Sequence, residues 1–295
     1  MNGALIIHKP SGMTSHDVVA RVRRLAQERS IGHLGTLDPS ATGVLPLLLG
    51  RLTRLAQFFE GREKEYEGEL LFGFATDTYD ASGTRLPGDS TAAAEPPNRE
   101  QVEALLGRFR GPIEQTPPPF SAKKVGGVPA YKLARQQRPV QLAPVMVNVK
   151  AFDLLEFEGN RMRFRVVSSA GTYIRSLAHD LGQAVGVGAH LVSLQRTRVG
   201  EFSLAASHTL ETVAELAIAG RLGEALMPAT ALLPEMPAVV ATPEAAARLL
   251  HGQDANLAEF SGAPLVRAFN DDGQMLAVAK RMAGSLFHPQ IVLAG

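Results

Sequence analysis

The part of this sequence best suited to chemistry is the run of residues 32–43, which carries one carboxylate, Asp38, among glycines, threonines and a proline. Most of the run has neither helical nor strand periodicity, which indicates a loop. Glycine permits a close backbone approach that a side chain would forbid, and Pro39 biases the preceding residues away from a helix. We therefore expect Asp38 to project from an extended or turn conformation. Ordinary surface turns use the same residue types, so composition alone favours a turn over a site.

Most signatures of cofactor chemistry are absent from the sequence. It contains no cysteine, which excludes disulfides, thiol catalysis and cysteine-ligated zinc. It has no G-x-x-x-x-G-K-[ST] phosphate loop, and residues 186–191 lack the third glycine of a dinucleotide-binding loop. A metal site is an alternative that spacing alone does not establish. Its candidate ligands are His33, Asp38, Asp77 and Asp80.

The composition is that of a globular protein with room for one large domain and a small one. The chain has 295 residues, of which 45% are hydrophobic and 20% are charged. No apolar run approaches the length of a membrane span, and the first residues lack the pattern of a signal peptide. We therefore expect a cytoplasmic protein that does not associate with membranes.

Basic residues are clustered along the chain, although the formal net charge is only +1. The clusters are Lys123, Lys124, Lys132, Arg135, Arg138 and Lys150; then Arg161, Arg163, Arg165 and Arg175; then Arg196 and Arg198. Such clusters are typical of solvated faces, and they are also typical of a surface that follows nucleic-acid phosphates. Charge alone leaves both interpretations open.

The elements that must position these groups include both strands and helices. Alternating apolar residues predict strands near residues 4–7, 66–72, 145–149, 162–166, 265–269 and 275–279. Apolar stripes at helical spacing predict helices that start near Thr14, Asn98, Ile174, Thr209 and Thr242. Residues 87–97 are rich in Pro, Ala, Gly and Ser and are expected to form an exposed connection. The order of elements indicates an α+β fold with a central mixed or antiparallel sheet flanked by helices.

Six segments together carry a family resemblance. Residues 32–45 resemble the catalytic motif of the bacterial tRNA pseudouridine-55 synthases, the TruB family. The other segments resemble further motifs of that family, in the same order and spacing: 8–15, 64–66 with 76–80, 117–135, 171–177 and 194–202. Agreement of several ordered motifs is far more specific than any single one. Phe120, Leu52 and Phe72 depart from the common pattern, and we interpret these apolar or aromatic replacements as repacking.

The resemblance implies that the protein isomerises a uridine in the T-loop of tRNA, position 55, to pseudouridine, and that it needs neither a cofactor nor a metal. Asp38 resembles the nucleophile, which attacks the ribose C1′ or the base C6, and the sequence leaves that choice open. Arg175, in the first turn of its predicted helix, matches the arginine that pairs with the aspartate. Tyr66 matches the tyrosine beneath the target base, where its ring would stack and its hydroxyl could help remove the C5 proton. Taken alone, Arg175 would be a phosphate contact or a surface residue, and Tyr66 a core tyrosine.

The resemblance also assigns residues to RNA and substrate binding. His33 matches the residue that fills the gap left by the flipped base, and a loop histidine bonded to the backbone is the alternative. Leu194 matches the apolar residue that closes the pocket, and by periodicity alone it is a core residue. Further candidates for RNA-backbone or site-framing roles are Lys9, Lys64, Lys123, Lys124 and Arg135. Tyr173 is a further candidate for substrate or RNA binding.

The chain is expected to divide into a pseudouridine synthase catalytic domain, 1–236, and a small β-rich module, 237–295, that resembles the RNA-binding PUA fold. The implied partner is tRNA, bound at its T-stem-loop and, through the module, at its acceptor end, which suits a monomer. A purely stabilising appendage is the alternative for the module. Two other functions are considered. An RNA-binding folding factor is compatible with pseudouridine synthesis, whereas a metal-dependent hydrolase is an alternative to it.

Overall fold

Two units make up the protein in the computed structural model, which describes residues 1–86, 96–121, 123–136 and 142–293. Residues 87–95 of the predicted exposed connection lie outside the described residues, as does the side chain of Arg135. Unit 1 combines Met1–Asp38, Leu45–Glu60 and Ala205–Gly295, and unit 2 combines Pro39–Val44 with Gly61–Leu204. The domain boundary expected at 236/237 stays a prediction.

The strands and helices that the sequence predicts are all present, and several extend a few residues further than expected. Other strands, among them Ile31–His33, Thr42–Leu49 and Ala189–Val199, are not among those predicted. The strands are β1 Gly3–Lys9, β2 Ile31–His33, β3 Thr42–Leu49, β4 Lys64–Phe72, β5 Gly111–Gln115, β6 Lys124–Val125, β7 Val128–Pro129, β8 Val145–Glu158, β9 Arg161–Ser168, β10 Ala189–Val199, β11 Phe202–Ser203, β12 Leu226–Met227, β13 Ala238–Val240, β14 Ala255–Asn256, β15 Leu265–Phe269, β16 Met275–Ala283 and β17 Leu286–Val292. The α-helices are α1 Ser15–Ala26, α2 Arg99–Leu106, α3 Ala130–Arg135, α4 Ile174–Val185, α5 Leu210–Ile218 and α6 Pro243–Leu250. The sequence analysis did not predict the 3₁₀ helix Gly50–Phe58 that follows β3.

In unit 1, strands β12, β1 and β3 lie side by side, and β2 pairs with β3. β1 runs antiparallel to β12, with Ala4 opposite Met227, and β2 runs antiparallel to β3, with His33 opposite Leu47. Helices α1 and α5 pack against each other. These elements share one apolar core, to which the main contributors are Leu5, Ile7, Val18, Val22, Leu45, Leu47, Leu210 and Val213.

Helix α1 begins at the residue that the sequence predicts. The Thr14 hydroxyl accepts a hydrogen bond from the backbone N–H of Asp17 at 3.1 Å, and the Asp17 carboxylate accepts one from the backbone N–H of Thr14 at 2.9 Å. This capping box satisfies donors that the first turn of a helix leaves without intrahelical partners. The hydrogen bonds from the Thr14 hydroxyl and amide lower the pKa of Asp17.

A second sheet of unit 1, with the strand order β13-β15-β16-β17-β14, forms the end of the described chain. The predicted hairpin around residues 272–273 joins β15 to β16. Helix α6 packs on this sheet, and Thr242 caps it with Pro243 at its first position. Arg267 is buried and donates to the backbone carbonyls of Thr230, Leu232 and Met236 at 2.8–2.9 Å. The expected small β-rich C-terminal module is therefore confirmed, and its likeness to a PUA fold stays a prediction.

Unit 2 is built on five antiparallel strands in the order β10-β4-β9-β8-β5. β11 pairs with β10, and the first residues of β3 run parallel to β10, with Gly43 opposite Arg196. Helix α4 packs on β10, and α2 packs on α4 and β8. The predicted mixed sheet with flanking helices is confirmed.

Gly43 is a position where β3 comes very close to β10. Its φ of +101° is one that residues with side chains rarely adopt. A Cβ atom there would overlap the backbone oxygen of Arg196 and would lie 2.8 Å from its nitrogen. Gly32, on β2 of unit 1, has open space where a Cβ would lie. Of these two motif glycines, Gly43 is therefore the one whose replacement forces a backbone to move.

Gly43→Ala is expected to lower the free energy of unfolding by about 2 kcal/mol or more, since the added Cβ must displace a strand or strain the backbone. Urea denaturation followed by circular dichroism measures this change. Gly32→Ala is the matched control and should remain within about 0.5 kcal/mol of the original protein. Equal stabilities of the two variants would contradict the close approach of β3 and β10.

Candidate active site

Asp38 is half-buried in the loop after β2, in an irregular segment that leads into a turn at Pro39, as predicted. The residue before it, Leu37, is fixed by a single side chain of unit 1. The Ser15 hydroxyl accepts a hydrogen bond from the Leu37 N–H at 2.9 Å and donates one to the Leu37 carbonyl at 3.2 Å. Ser15 is only 1% exposed. The first residue of α1 therefore holds the backbone next to the candidate nucleophile, a contact that the sequence analysis missed.

Lys9 is fully buried at the end of β1. Its ammonium group donates to the carbonyl oxygens of Pro10 at 2.8 Å and Met13 at 2.6 Å, across the turn that precedes α1. The buried ammonium group therefore links two carbonyl groups of the turn and stabilises its conformation. The geometry favours the site-framing role among the two roles expected for Lys9.

His33 ends β2 and is half-buried. Its Nε2 atom lies 3.1 Å from the Thr36 hydroxyl. Its ring also meets the exposed ring of His16 on α1 edge-on, with 5.4 Å between the ring centroids. The base-replacing role of His33 stays a prediction, and so does its alternative as a loop histidine bonded to the backbone.

Tyr66 lies on β4 and is 7% exposed. In the strand register it stands opposite Arg196 of β10, whose guanidinium group is hydrogen-bonded to the Tyr66 side chain. Arg196 is fully buried, and its Nε donates to the Val44 carbonyl at 2.8 Å. The assignment of Arg196 to a surface cluster is therefore wrong, because its strand position directs the side chain into the protein. Burial lowers the pKa of this guanidinium, and the contact with Tyr66 opposes that shift.

Lys64 lies two residues before Tyr66, on the same side of β4. Burial and repulsion from the Arg196 guanidinium lower its pKa to about 8. Its ammonium group donates to the Arg62 carbonyl at 3.3 Å. Lys64 and Arg196 thus place two basic groups beside the candidate catalytic tyrosine.

Arg175 occupies the first turn of α4, as predicted, but it is not a surface residue. Its side chain is 6% exposed. One amino group donates to the Thr78 carbonyl and the other to the Phe120 carbonyl, both at 3.0 Å. Its Nε lies 3.8 Å from Asp80 Oδ2. The guanidinium is therefore held from several directions inside unit 2, and the surface-residue alternative is wrong.

Asp80 is itself fixed by the short segment around it. One carboxylate oxygen, Oδ1, accepts hydrogen bonds from the Thr78 hydroxyl at 2.8 Å and from the Ser82 N–H at 2.9 Å. The Thr76 hydroxyl donates to the Asp80 carbonyl at 2.7 Å. The other oxygen, Oδ2, faces Arg175. The motif at residues 76–80 signalled a site, and its part in holding the arginine emerged only from the structure.

The remaining candidates are spread over unit 2. Tyr173 is the residue before the first turn of α4, and its side chain makes no capping hydrogen bond. Its backbone N–H donates to the Gln115 side chain at 2.7 Å, and its carbonyl accepts from that side chain at 3.0 Å. Leu194 is half-buried on β10, whereas Lys123 and Lys124 are exposed. The geometry thus gives Tyr173 a backbone anchor and leaves the two lysines accessible to phosphates.

The second basic cluster is balanced by carboxylates of neighbouring strands. Its three strand arginines project from alternate positions of β9 and therefore share one face. The ion pairs are Arg161–Glu69, Arg163–Glu156, Arg165–Glu65 and Arg165–Asp153. This pairing favours the solvated-face interpretation for that cluster over a surface that follows phosphates.

Within the described ranges, no group of three or more His, Asp or Glu side chains is arranged to hold a metal ion. Among the helices that the structure describes, none combines the length and apolarity needed to cross a membrane.

Family comparison places this arrangement among known proteins. The model of the N-terminal domain of TruB family pseudouridylate synthases matches residues 23–174, which is more than half of the chain. The chain belongs to the TruB family. A second model, for the C-terminal domain of tRNA pseudouridylate synthase B, matches residues 175–234. As a TruB-family member the chain is a pseudouridine synthase, an isomerase that converts uridine to pseudouridine.

Individual relatives of this TruB-family chain are similar over nearly its whole length. A tRNA pseudouridine synthase B from Solibacter usitatus is 46% identical, over 99% of this chain and 100% of the relative. Another, from Symbiobacterium thermophilum, is 48% identical over 85% of this chain and 82% of the relative. A solved structure of an H/ACA RNP bound to a substrate RNA containing 2′-deoxyuridine superimposes with a TM-score of 0.74 at 26% identity, covering 99% of this chain and 85% of that chain. The expected pseudouridine-synthase-like fold is thereby confirmed.

The lowered pKa of Lys64 predicts how the stability of this TruB-family chain depends on pH. The pKa is about 8 in the folded protein and 10.5 in an ordinary lysine, so between these values the unfolded state binds more protons. Deprotonation then removes the cost of the buried charge, and the free energy of unfolding rises with pH. Urea denaturation from pH 7 to 10.5 should show the original protein gaining stability relative to Lys64→Met.

The exposed Lys280→Met is the matched control, because it reports the general effect of removing a lysine. A constant difference between the original protein and Lys64→Met across this pH range would contradict the lowered pKa.

Proposed function

We propose that this protein isomerises uridine 55 in the T-loop of tRNA to pseudouridine, with Asp38 as the nucleophile. The observation that carries the proposal is the 46% identity over 99% of the chain to a protein named tRNA pseudouridine synthase B. Since tRNA is the substrate, we propose that the protein acts in the cytoplasm, as a monomer on one tRNA.

The reaction breaks the bond between N1 of the base and C1′ of the ribose and forms a bond between C5 and C1′. A proton leaves C5, and N1 gains one, so that the product is an isomer of the substrate. The Asp38 carboxylate attacks in its ionised form, because a carboxylic acid is a poor nucleophile. It either displaces N1 from C1′ or adds to C6 across the C5–C6 double bond, and its bond to the substrate breaks again before pseudouridine is released. We propose that Arg175 stabilises this negative charge, since guanidinium groups hold carboxylates strongly. The support is that Arg175 is buried and held by three groups of unit 2.

Tyr66 is proposed to stack on the target base and to assist removal of the C5 proton. A base hidden in a stacked loop must leave that stack before its ring can react, at a cost of a few kcal/mol. Stacking on an aromatic ring recovers roughly 1–3 kcal/mol per base. The hydrogen bond to Arg196 supports this role, because it restricts the orientation of the Tyr66 side chain.

We propose that the RNA backbone is bound in part by the exposed residues Lys123 and Lys124. Arg135 belongs to the same proposal through its motif. The C-terminal sheet, residues 238–292, is proposed to contact the acceptor end of the tRNA. His33 is proposed to fill the place of the flipped base, with His16 against its edge, and Leu194 to close the pocket.

Asp38→Asn is expected to abolish pseudouridine formation, a loss of at least about 10⁴-fold, because an amide cannot form the covalent intermediate. The assay incubates the protein with unmodified tRNA and maps pseudouridine at each position, while filter binding measures the affinity for tRNA. Binding should persist, since the change removes one charge and keeps the shape of the side chain.

Glu60→Gln is the matched control, because this exposed carboxylate lies in the turn after the 3₁₀ helix Gly50–Phe58 and has no proposed contact with tRNA. The control should modify tRNA at the rate of the original protein. Catalysis retained by Asp38→Asn would reject Asp38 as nucleophile, and pseudouridine at a position other than 55 would reject the proposed target.

Tyr66→Phe keeps the aromatic face and removes the hydroxyl. We expect the single-turnover rate to fall about 100-fold, as when a general base is lost, and the tRNA affinity to remain close to that of the original protein. Rapid-quench kinetics with saturating enzyme measures the rate. An unchanged rate would remove the hydroxyl from the mechanism and leave stacking as the role of Tyr66.

A further inference from the structure

Tyr79 adopts a backbone conformation that is unusual for an aromatic residue. Its φ of +64° lies in the left-handed region, which side chains disfavour. Both neighbours of Tyr79 contact Arg175. The Thr78 carbonyl accepts a hydrogen bond from the guanidinium, and the Asp80 carboxylate lies 3.8 Å from Arg175 Nε. The strained residue therefore joins two groups that hold the candidate catalytic arginine.

The side chain of Tyr79 is bound to the helix that carries Arg175. Its ring stacks on the ring of His179, with 3.8 Å between the centroids and 10° between the ring planes. His179 follows Arg175 by four residues on α4, so the two side chains lie one helical turn apart on the same face. Residues 78–80 are thus attached to α4 at two consecutive turns.

The backbone of the same segment is tied to the sheet. The Tyr79 carbonyl accepts a hydrogen bond from the Leu191 N–H at 3.0 Å, and the Ala81 N–H donates to the Leu191 carbonyl at 2.8 Å. Both contacts join the segment to β10. These contacts fix the chain on the C-terminal side of Tyr79 to β10, so a change in the φ of Tyr79 alters how Thr78 and Asp80 lie relative to each other.

The surroundings of the stack keep the tyrosine neutral. Burial raises the pKa of the Tyr79 hydroxyl, and the nearby Asp180 carboxylate raises it further. Burial also raises the pKa of Asp180, to about 6. The ring face therefore meets the imidazole as an uncharged aromatic surface near neutral pH.

We propose that Tyr79 is a positioning residue whose stack on His179 holds Tyr79 in the left-handed conformation that presents the Thr78 carbonyl and the Asp80 carboxylate to Arg175. The inference rests on the proposed role of Arg175 in catalysis. Without the stacked ring, the segment relaxes toward an ordinary φ, and the Asp80 carboxylate turns away from the guanidinium. Arg175 then loses its fixed orientation while the sheet and the helix stay folded.

The test compares three substitutions at one position. Tyr79→Phe keeps the ring and should react at close to the original single-turnover rate. Tyr79→Ala loses the ring and retains the conformational penalty, so we expect a loss of about 10- to 100-fold. Tyr79→Gly also loses the ring, but glycine adopts φ near +64° without penalty, and its rate should lie between the other two. The tRNA dissociation constant should stay unchanged in all three.

A second readout follows the arginine directly. Exchange of the Arg175 Nε proton with solvent, measured by NMR, should be faster in Tyr79→Ala and slow in Tyr79→Phe. His179→Ala should reproduce the Tyr79→Ala loss, and the double variant should be no slower than either single one, because both remove the same contact. Gln183→Ala, an exposed change on the same helix, is the control and should leave rate and exchange as they are.

Arg175→Lys, measured in the same series, separates this inference from the proposed function. If Arg175→Lys is slow while Tyr79→Ala and His179→Ala react at the original rate, the positioning role is overturned and the catalytic role of Arg175 stands. If Arg175→Lys reacts at the original rate, the catalytic role falls and the positioning role falls with it. If Tyr79→Ala does not fold, Tyr79→Gly and His179→Ala decide the question by the same comparison.

Discussion

A buried guanidinium group must keep its hydrogen-bond partners, and this requirement at Arg175 organises unit 2 around the start of α4. Leaving such a charge without a partner costs roughly 3–5 kcal/mol. Two hydrogen-bond acceptors come from stretches of chain far from α4 in sequence, the carbonyls of Thr78 and Phe120, and Asp80 adds an ion-pair partner beside Thr78. Two further contacts fix the second stretch to the same helix end, from the Gln115 side chain to Tyr173 and from the Ser176 hydroxyl to the Thr116 carbonyl. The loops that frame α4 therefore have little freedom to move independently.

The same principle appears on a smaller scale at Leu37 and at Tyr66. A single buried hydroxyl, that of Ser15, satisfies both backbone groups of Leu37. A single buried guanidinium, that of Arg196, bonds to Tyr66 and to the Val44 carbonyl. In each case a buried polar side chain fixes a candidate catalytic residue, Tyr66, or the neighbour of one, Leu37 beside Asp38. Catalytic side chains require such hydrogen bonds to restrict their positions, because small displacements of a reacting group reduce rates strongly.

The sequence predicted the elements well where a local rule applied. Thr14, Asn98, Thr209 and Thr242 each cap the helix that follows them, because capping depends on residues only three positions apart. Period-two apolar patterns located β8 and β9, but they could not give the register between the strands. Register is what pairs Arg163 with Glu156 and what places Arg196 opposite Tyr66. Counting charges along the sequence therefore could not show which of the clustered arginines are ion-paired and which are buried.

The candidate site was found through motifs, but the contacts that support its side chains were not predicted. Asp38, Tyr66 and Arg175 stand in segments whose resemblance to a family could be stated from the sequence alone. Gln115 and His179 carry no comparable signal, since each is an ordinary residue whose importance comes from a partner distant in the chain. Ser15 stands in a motif, but its contact with Leu37 was not predicted. Tertiary contacts of this kind depend on the complete fold, which a local pattern does not encode.

The division of the chain between the two units has a consequence for folding on the ribosome. Unit 2 draws almost all of its residues from one continuous stretch, whereas unit 1 needs the first and the last parts of the chain. β3 is synthesised soon after β1 and can pair with it. β12, which covers the other edge of β1, and α5, which contributes to the same core, are more than 200 residues away. At roughly 5–20 residues per second, synthesis of that distance takes about 10 to 40 seconds. Throughout that time the apolar first strand of the nascent chain is incompletely covered, so it is the segment where a chaperone has most to protect.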